Sequence, residues 1–197
     1  ALHEPRFGVQ EKANVLDCVE SGWVSYLGGY VDEFERRMAD LAGVACGIAT
    51  VNGTSALRVA LQGVGIAPDH EILVPDLTFI ATLNAVCHLG AIPHLIDSER
   101  LTLGLCPEAL EARLEAIGRR DEAGTINTET GRRIKAVMPM HVFGHPARMD
   151  EINDVAKRWG LIVVEDAAQA IGSFYKGRPA GSLGQIAAFS FNGNKTV

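Results

Sequence analysis

L-I-V-V-E-D-A-A-Q, residues 161–169, sets four apolar residues ahead of two acids. An unbroken apolar run of this length, bounded by polar residues, reads as a strand covered on both faces, as in parallel sheets. A second run, I-A-A-F-S-F at 186–191, reads the same way and leads through the Gly/Asn turn N-G-N to Lys195. Four more candidate strands precede these two: C-G-I-A-T-V (46–51), E-I-L-V-P (71–75), A-I-P-H-L-I-D (91–97) and I-K-A-V-M-P-M (134–140). Helices fit between them at 54–64, 77–89, 107–118 and 147–159. Two further helices come first, one at 10–21 broken by Ser21-Gly22, the other carrying Val31, Phe34, Met38 and Leu41 and stopped by Gly43. Strands alternating with helices predict an α/β fold, a three-layer sandwich around a mostly parallel central sheet. The stretch 119–133, R-R-D-E-A-G-T-I-N-T-E-T-G-R-R, is polar and aperiodic and reads as a long surface loop.

The composition is that of a globular protein: 197 residues, 47% hydrophobic and 21% charged, with room for one large core. A net charge of −6 and the lack of any Lys/Arg block argue against a nucleic-acid surface. No apolar run approaches the ~18 residues of a membrane-spanning helix. The opening A-L-H-E-P-R-F has neither the charged nor the apolar region of a secretory signal, which predicts a cytoplasmic protein. It also lacks Met, so the natural start is expected upstream or trimmed. Cys18, Cys46, Cys87 and Cys106 form no C-x-x-C pair and read as small buried hydrophobes of a reducing compartment, not as a disulfide framework or zinc site.

Several strand-to-helix junctions carry residues suited to chemistry. N-G-T-S-A-L (52–57) opens a helix after a strand. Gly53 lets backbone approach closely, and Thr54 and Ser55 offer amides and hydroxyls at the positive helix end, an anion site; any N-capped helix after a strand would look similar. Phe79, in P-D-L-T-F-I-A-T (75–82), is either a core phenylalanine or a flat surface for a planar ligand. Asp166 follows two valines that predict burial, and a buried carboxylate is costly unless paired; capping the next helix would explain Asp166 but not Gln169 after it. Glu165 points to the opposite face by strand alternation and is left out of the site. An acid and a turn lysine, each at a strand's carboxyl end, are what a pyridoxal phosphate site requires: the lysine as Schiff-base residue, the carboxylate against the pyridinium nitrogen. His141 and His145 are four apart, but Gly144 and Pro146 preclude a helical metal pair. G-V-G-I-A-P (63–68) lacks the third glycine of a dinucleotide fingerprint.

Taken together, E-D-A-A-Q at 165–169 and S-F-N-G-N-K at 190–195 resemble the nucleotide-sugar aminotransferases of the DegT family, within the fold-type-I pyridoxal-phosphate enzymes. The resemblance runs through nearly the whole chain. It implies that residues 1–197 are the cofactor-binding large domain, incomplete at its C-terminus, with a smaller C-terminal domain absent and a homodimer whose subunits share active sites. The cofactor it implies is pyridoxal 5′-phosphate, with Lys195 as Schiff-base residue and Asp166 on the ring nitrogen. It further implies Phe79 stacked on the ring, Gln169 near its phenolic oxygen, and Gly53, Thr54, Ser55 and Ser190 around the phosphate. The family motif is S-F-H-x-x-K; here Asn192 replaces the histidine, a departure associated with members acting on bacterial cell-surface sugars. The aromatic stretch G-W-V-S-Y-L-G-G-Y (22–30) matches a family signature near the substrate. The implied reaction moves an amino group, from glutamate, to a keto-sugar on a nucleotide. Three rivals stand beside it: a related sugar dehydratase, in which histidine typically replaces the lysine; a non-catalytic binding protein on the same fold; and a plain nucleotide-binding domain.

Overall fold

In the computed structural model, which describes residues 6–193 and Lys195, the predicted alternation becomes a three-layer α/β sandwich. Two helices come first, α1 (Val9–Ser21) and α2 (Gly29–Ala42), followed by α3 (Gly53–Gly63), strand β1 (Glu71–Pro75), α4 (Ile80–Cys87) and β2 (Ile92–Ile96). Then come α5 (Pro107–Ile117), β3 (Gly118–Asp121), β4 (Gly124–Asn127), β5 (Arg133–Val137), α6 (Met149–Trp159) and β6 (Ile162–Asp166). A small hairpin, β7 (Phe174–Tyr175) and β8 (Arg178–Pro179), precedes β9 (Ile186–Ala188).

Five strands run parallel in the order β2, β1, β5, β6, β9. The chain steps outward from β1 to β2 and then returns to β5 on the other side of β1. Such a reversal opens a crevice at the carboxyl ends of the strands. Alternation along each strand divides the core. Ile72, Val74 and Val164 pack with α3 and α4 residues such as Leu57, Leu61 and Val86 on one face. Leu73, Val137 and Val163 pack with Leu110, Leu114, Ile152 and Val155 of α5 and α6 on the other. The helices end where glycine permits: α1, α2 and α6 stop at Gly22, Gly43 and Gly160, each left-handed.

Three expectations are corrected. The polar stretch 119–133 is no open loop: β3 and β4 form an antiparallel hairpin, and β4 pairs with the start of β5. Its tight turn is made by Gly124 at φ 123° and by the Asp121 carboxylate accepting the Ala123 N–H. Its polar residues are anchors: the Asn127 amide and Thr130 hydroxyl donate to buried Glu71, and the Thr125 hydroxyl to the Trp159 carbonyl. The expected strand at 46–51 joins no strand ladder among the described residues: its described neighbour is α2, whose Glu35 carboxylate accepts the Ala49 N–H, and Ile48 and Val51 are exposed. The cysteines are not buried: Cys46 and Cys87 are exposed and Cys18 and Cys106 half-buried. Cys106 instead caps α5, its sulfur accepting the Ala109 N–H.

Candidate active site

The carboxyl ends of β6 and β9 and the starts of α3 and α4 meet around a cavity of about 940 Å³. Asp166, the last residue of β6, lines it while only 2% exposed. Strand alternation puts Asp166 on the α3/α4 face and its neighbour Glu165 on the other, as the sequence predicts. The Asp166 carboxylate accepts from the Thr82 hydroxyl at 2.6 Å and from the Ala168 N–H at 3.2 Å. Burial pushes its proton affinity up; those two hydrogen bonds and the nearby His141 ring and Lys195 amine pull it back without cancelling the effect. Such an acid gains from a cation at the cavity.

Lys195 and Phe79 lie together at the mouth, the Lys195 Nζ 5.3 Å from the Phe79 ring centre. Phe79 is the N-terminal cap residue of α4 and 60% exposed, so the core-phenylalanine reading fails and its ring face stays available. The turn that delivers Lys195 is closed by its own N–H donating to the Asn192 carbonyl at 2.7 Å.

Across the cavity, the first turn of α3 meets β9's end. A methyl at Gly53 would sit 2.8 Å from the Ser190 Cβ and 3.0 Å from its Oγ, so only glycine permits this approach. Gly53, Thr54 and Ser190 line the cavity; Ser55 does not, and its N–H is taken by the Asn52 side chain at 2.8 Å. Gln169 also lines it, its side-chain oxygen accepting the Phe143 N–H at 3.2 Å. The aromatic stretch stands apart from this cluster, with Trp23 and Tyr26 exposed and the Tyr30 hydroxyl donating to Asp17.

Sequence reasoning missed Thr82 and Thr78, whose hydroxyls are 2.7 Å apart behind Asp166. Their i, i+4 spacing at a strand-to-helix junction was the available signal. Also missed was the opposite wall. Buried Glu165 accepts from the Gly181, Leu183 and Gly184 amides and pairs with buried His141 at 3.0 Å. The His141 Nδ1 accepts the Ala147 N–H, which puts the ring proton on Nε2, toward Glu165. The histidine pair is therefore split: His141 braces the sheet end, and no metal-ligating cluster occurs among the described residues.

A pyridoxal 5′-phosphate molecule fits these residues: a buried acid seeking a cation, an amine beside an exposed aromatic face, and a helix start where glycine leaves room. The model of the DegT/DnrJ/EryC1/StrS aminotransferase family matches residues 5–197. GDP-perosamine synthase of Caulobacter vibrioides is 42% identical over 193 residues, covering 98% of this chain and 48% of that protein. The crystal structure of DesI in the presence of its TDP-sugar product superposes with a TM-score of 0.83 at 33% identity, over 98% of this chain and 45% of that one. Spr1654 of Streptococcus pneumoniae, described as a sugar aminotransferase and solved in its PLP form, gives 0.83 at 26% identity, over 98% and 49%. The chain spans about half the length of the curated relatives it matches.

Proposed function

Because this chain belongs to the DegT/DnrJ/EryC1/StrS aminotransferase family, we propose that it is the cofactor-binding part of a pyridoxal-phosphate-dependent sugar aminotransferase. The enzyme would take an amino group from an amino acid such as glutamate and deliver it to a keto-sugar carried on a nucleotide, for cell-surface polysaccharide or amino-sugar synthesis in the cytoplasm. A smaller domain outside these residues and a second subunit would complete it. The observation that carries the reading is buried Asp166 and amine-bearing Lys195 lining one cavity.

When bound, pyridoxal 5′-phosphate supplies an aldehyde that joins amines and a protonated ring that withdraws electrons. Asp166 would hold the ring nitrogen's proton through a charge-assisted hydrogen bond, relieving its own burial cost. Lys195 would hold the cofactor through Nζ and, once displaced by the incoming amine, move a proton at that same nitrogen. Phe79 would flank the ring, and Gln169 would approach its oxygen. The phosphate would lie at the α3 start against Gly53, Thr54 and the Ser190 hydroxyl, with the Ser55 amide already committed to Asn52. The products named for relatives, a GDP-sugar and a TDP-sugar, support a nucleoside-diphosphate sugar as the substrate class.

Borohydride treatment of the cofactor-loaded full-length protein, followed by peptide mapping, should place the label on Lys195; a label on another lysine rejects the assignment. Incubation with glutamate and a panel of keto-sugar nucleotides should yield one aminated product.

A further inference from the structure

Thr82 occupies the first turn of α4, wholly buried, with its N–H donating to the Phe79 carbonyl at 3.0 Å. Its hydroxyl is 2.6 Å from one oxygen of Asp166 and 2.7 Å from the Thr78 hydroxyl. We propose that Thr82 is a positioning residue of this site: its hydroxyl holds the Asp166 carboxyl in one orientation and keeps it ionised for the cofactor's ring nitrogen. The inference rests on the assignment of Asp166 made above.

An ionised carboxylate only accepts hydrogen bonds, so the single Thr82 proton must point to Asp166, and the Thr82 oxygen is left as an acceptor. The neighbouring Thr78 hydroxyl has two acceptors for its one proton, the Thr82 oxygen at 2.7 Å and the Met140 sulfur at 2.9 Å. The carboxyl faces few other groups. The Ala168 N–H holds the second oxygen, and the titratable side chains acting on it are His141, beyond the end of β5, and Lys195, beyond β9. Burial opposes ionisation, and Thr82 is foremost among the groups that favour it. Two hydrogen bonds also leave lone pairs on the carboxylate for a further donor from the cavity. Because Thr82 lies three residues after Phe79, the same contact ties the turn bearing the exposed aromatic to β6.

The test follows the titration of Asp166 in cofactor-free, full-length protein by NMR of isotope-labelled aspartate carboxyls, its resonance being the one that Asp166→Asn removes. Thr82→Val should raise the titration midpoint by roughly one pH unit or more, the worth of a hydrogen bond to a charged group. Thr82→Ser should return it to the parent value. If Thr82→Val does not fold, Thr82→Ala supplies the comparison. An unchanged midpoint in the variant lacking the hydroxyl, or a raised one in Thr82→Ser, overturns the proposal. Pyridoxal 5′-phosphate binding by the parent protein, measured separately by absorbance, tests the cofactor reading. A shifted midpoint without cofactor binding would sink that reading and leave the role of Thr82 intact.

Discussion

At Asp166, burial holds the carboxyl's proton affinity above its ordinary value of 3.8. A group whose folded value is raised stabilises the fold at low pH, and that contribution is lost as the pH rises through the folded value. In the cofactor-free protein, Asp166→Asn should therefore melt higher than the parent at neutral pH. The gap should close as the pH falls toward 3.8, which thermal melts across pH would show. The same variant should lose roughly two orders of magnitude or more in turnover, because a neutral amide cannot stabilise the ring's positive charge. Stability and function pull in opposite directions at this one carboxyl. Gly53 is the second sensitive residue. In Gly53→Ala the new methyl would stand 2.8 Å from the Ser190 Cβ, so overpacking should cost about 1–3 kcal/mol in denaturant unfolding. Cofactor affinity should fall with it as the helix start is pushed from the β9 end; unchanged affinity would place the phosphate elsewhere.

Between elements, the decisive link is the one from β6 to the 181–184 loop through Glu165. Burial pushes this carboxyl up, but the His141 ring and the loop amides outweigh burial and hold it below its ordinary 4.5. Its contribution to stability is thus present above pH 4.5 and lost as the pH falls through the lower folded value. Glu165→Ala would leave three amides and a histidine without their acceptor and should cost about 3–5 kcal/mol at neutral pH. Glu165→Gln should blunt the acid-unfolding limb of the parent, measured by circular dichroism. Since this loop leads directly into β9, the loss should also displace Ser190 and weaken cofactor retention. The β3–β4 hairpin plays a comparable part at the opposite end of the sheet, where Asn127 and Thr130 satisfy buried Glu71.

Over the whole molecule, apolar surface is unevenly covered. No residue of α1 is buried, Val15, Leu16 and Val19 are exposed, and Ile48 is 74% exposed on a segment that joins no strand ladder among the described residues. Exposed patches of this kind drive association. Residues 1–197 expressed alone should form heterogeneous aggregates in light scattering and show no transamination, whereas the full-length protein should form a defined dimer and transaminate; a monodisperse, active fragment would contradict this. Much of this architecture was legible in the chain. The runs at 71–75, 134–140, 161–165 and 186–191 announced parallel strands, and Glu165 and Asp166 announced opposite faces, because burial on both sides and a two-residue period are written locally. The motifs S-F-N-G-N-K and E-D-A-A-Q likewise pointed to the residues that now line one cavity. Pairing was not legible. A polar stretch became a hairpin because Glu71, more than fifty residues away, needed its donors. The run at 46–51 met helix α2 where a strand was expected, and Thr82 gained its place only when the start of α4 met the end of β6. Local periodicity specifies elements; contacts between residues distant in sequence, which depend on how those elements pack, specify hydrogen-bond partners.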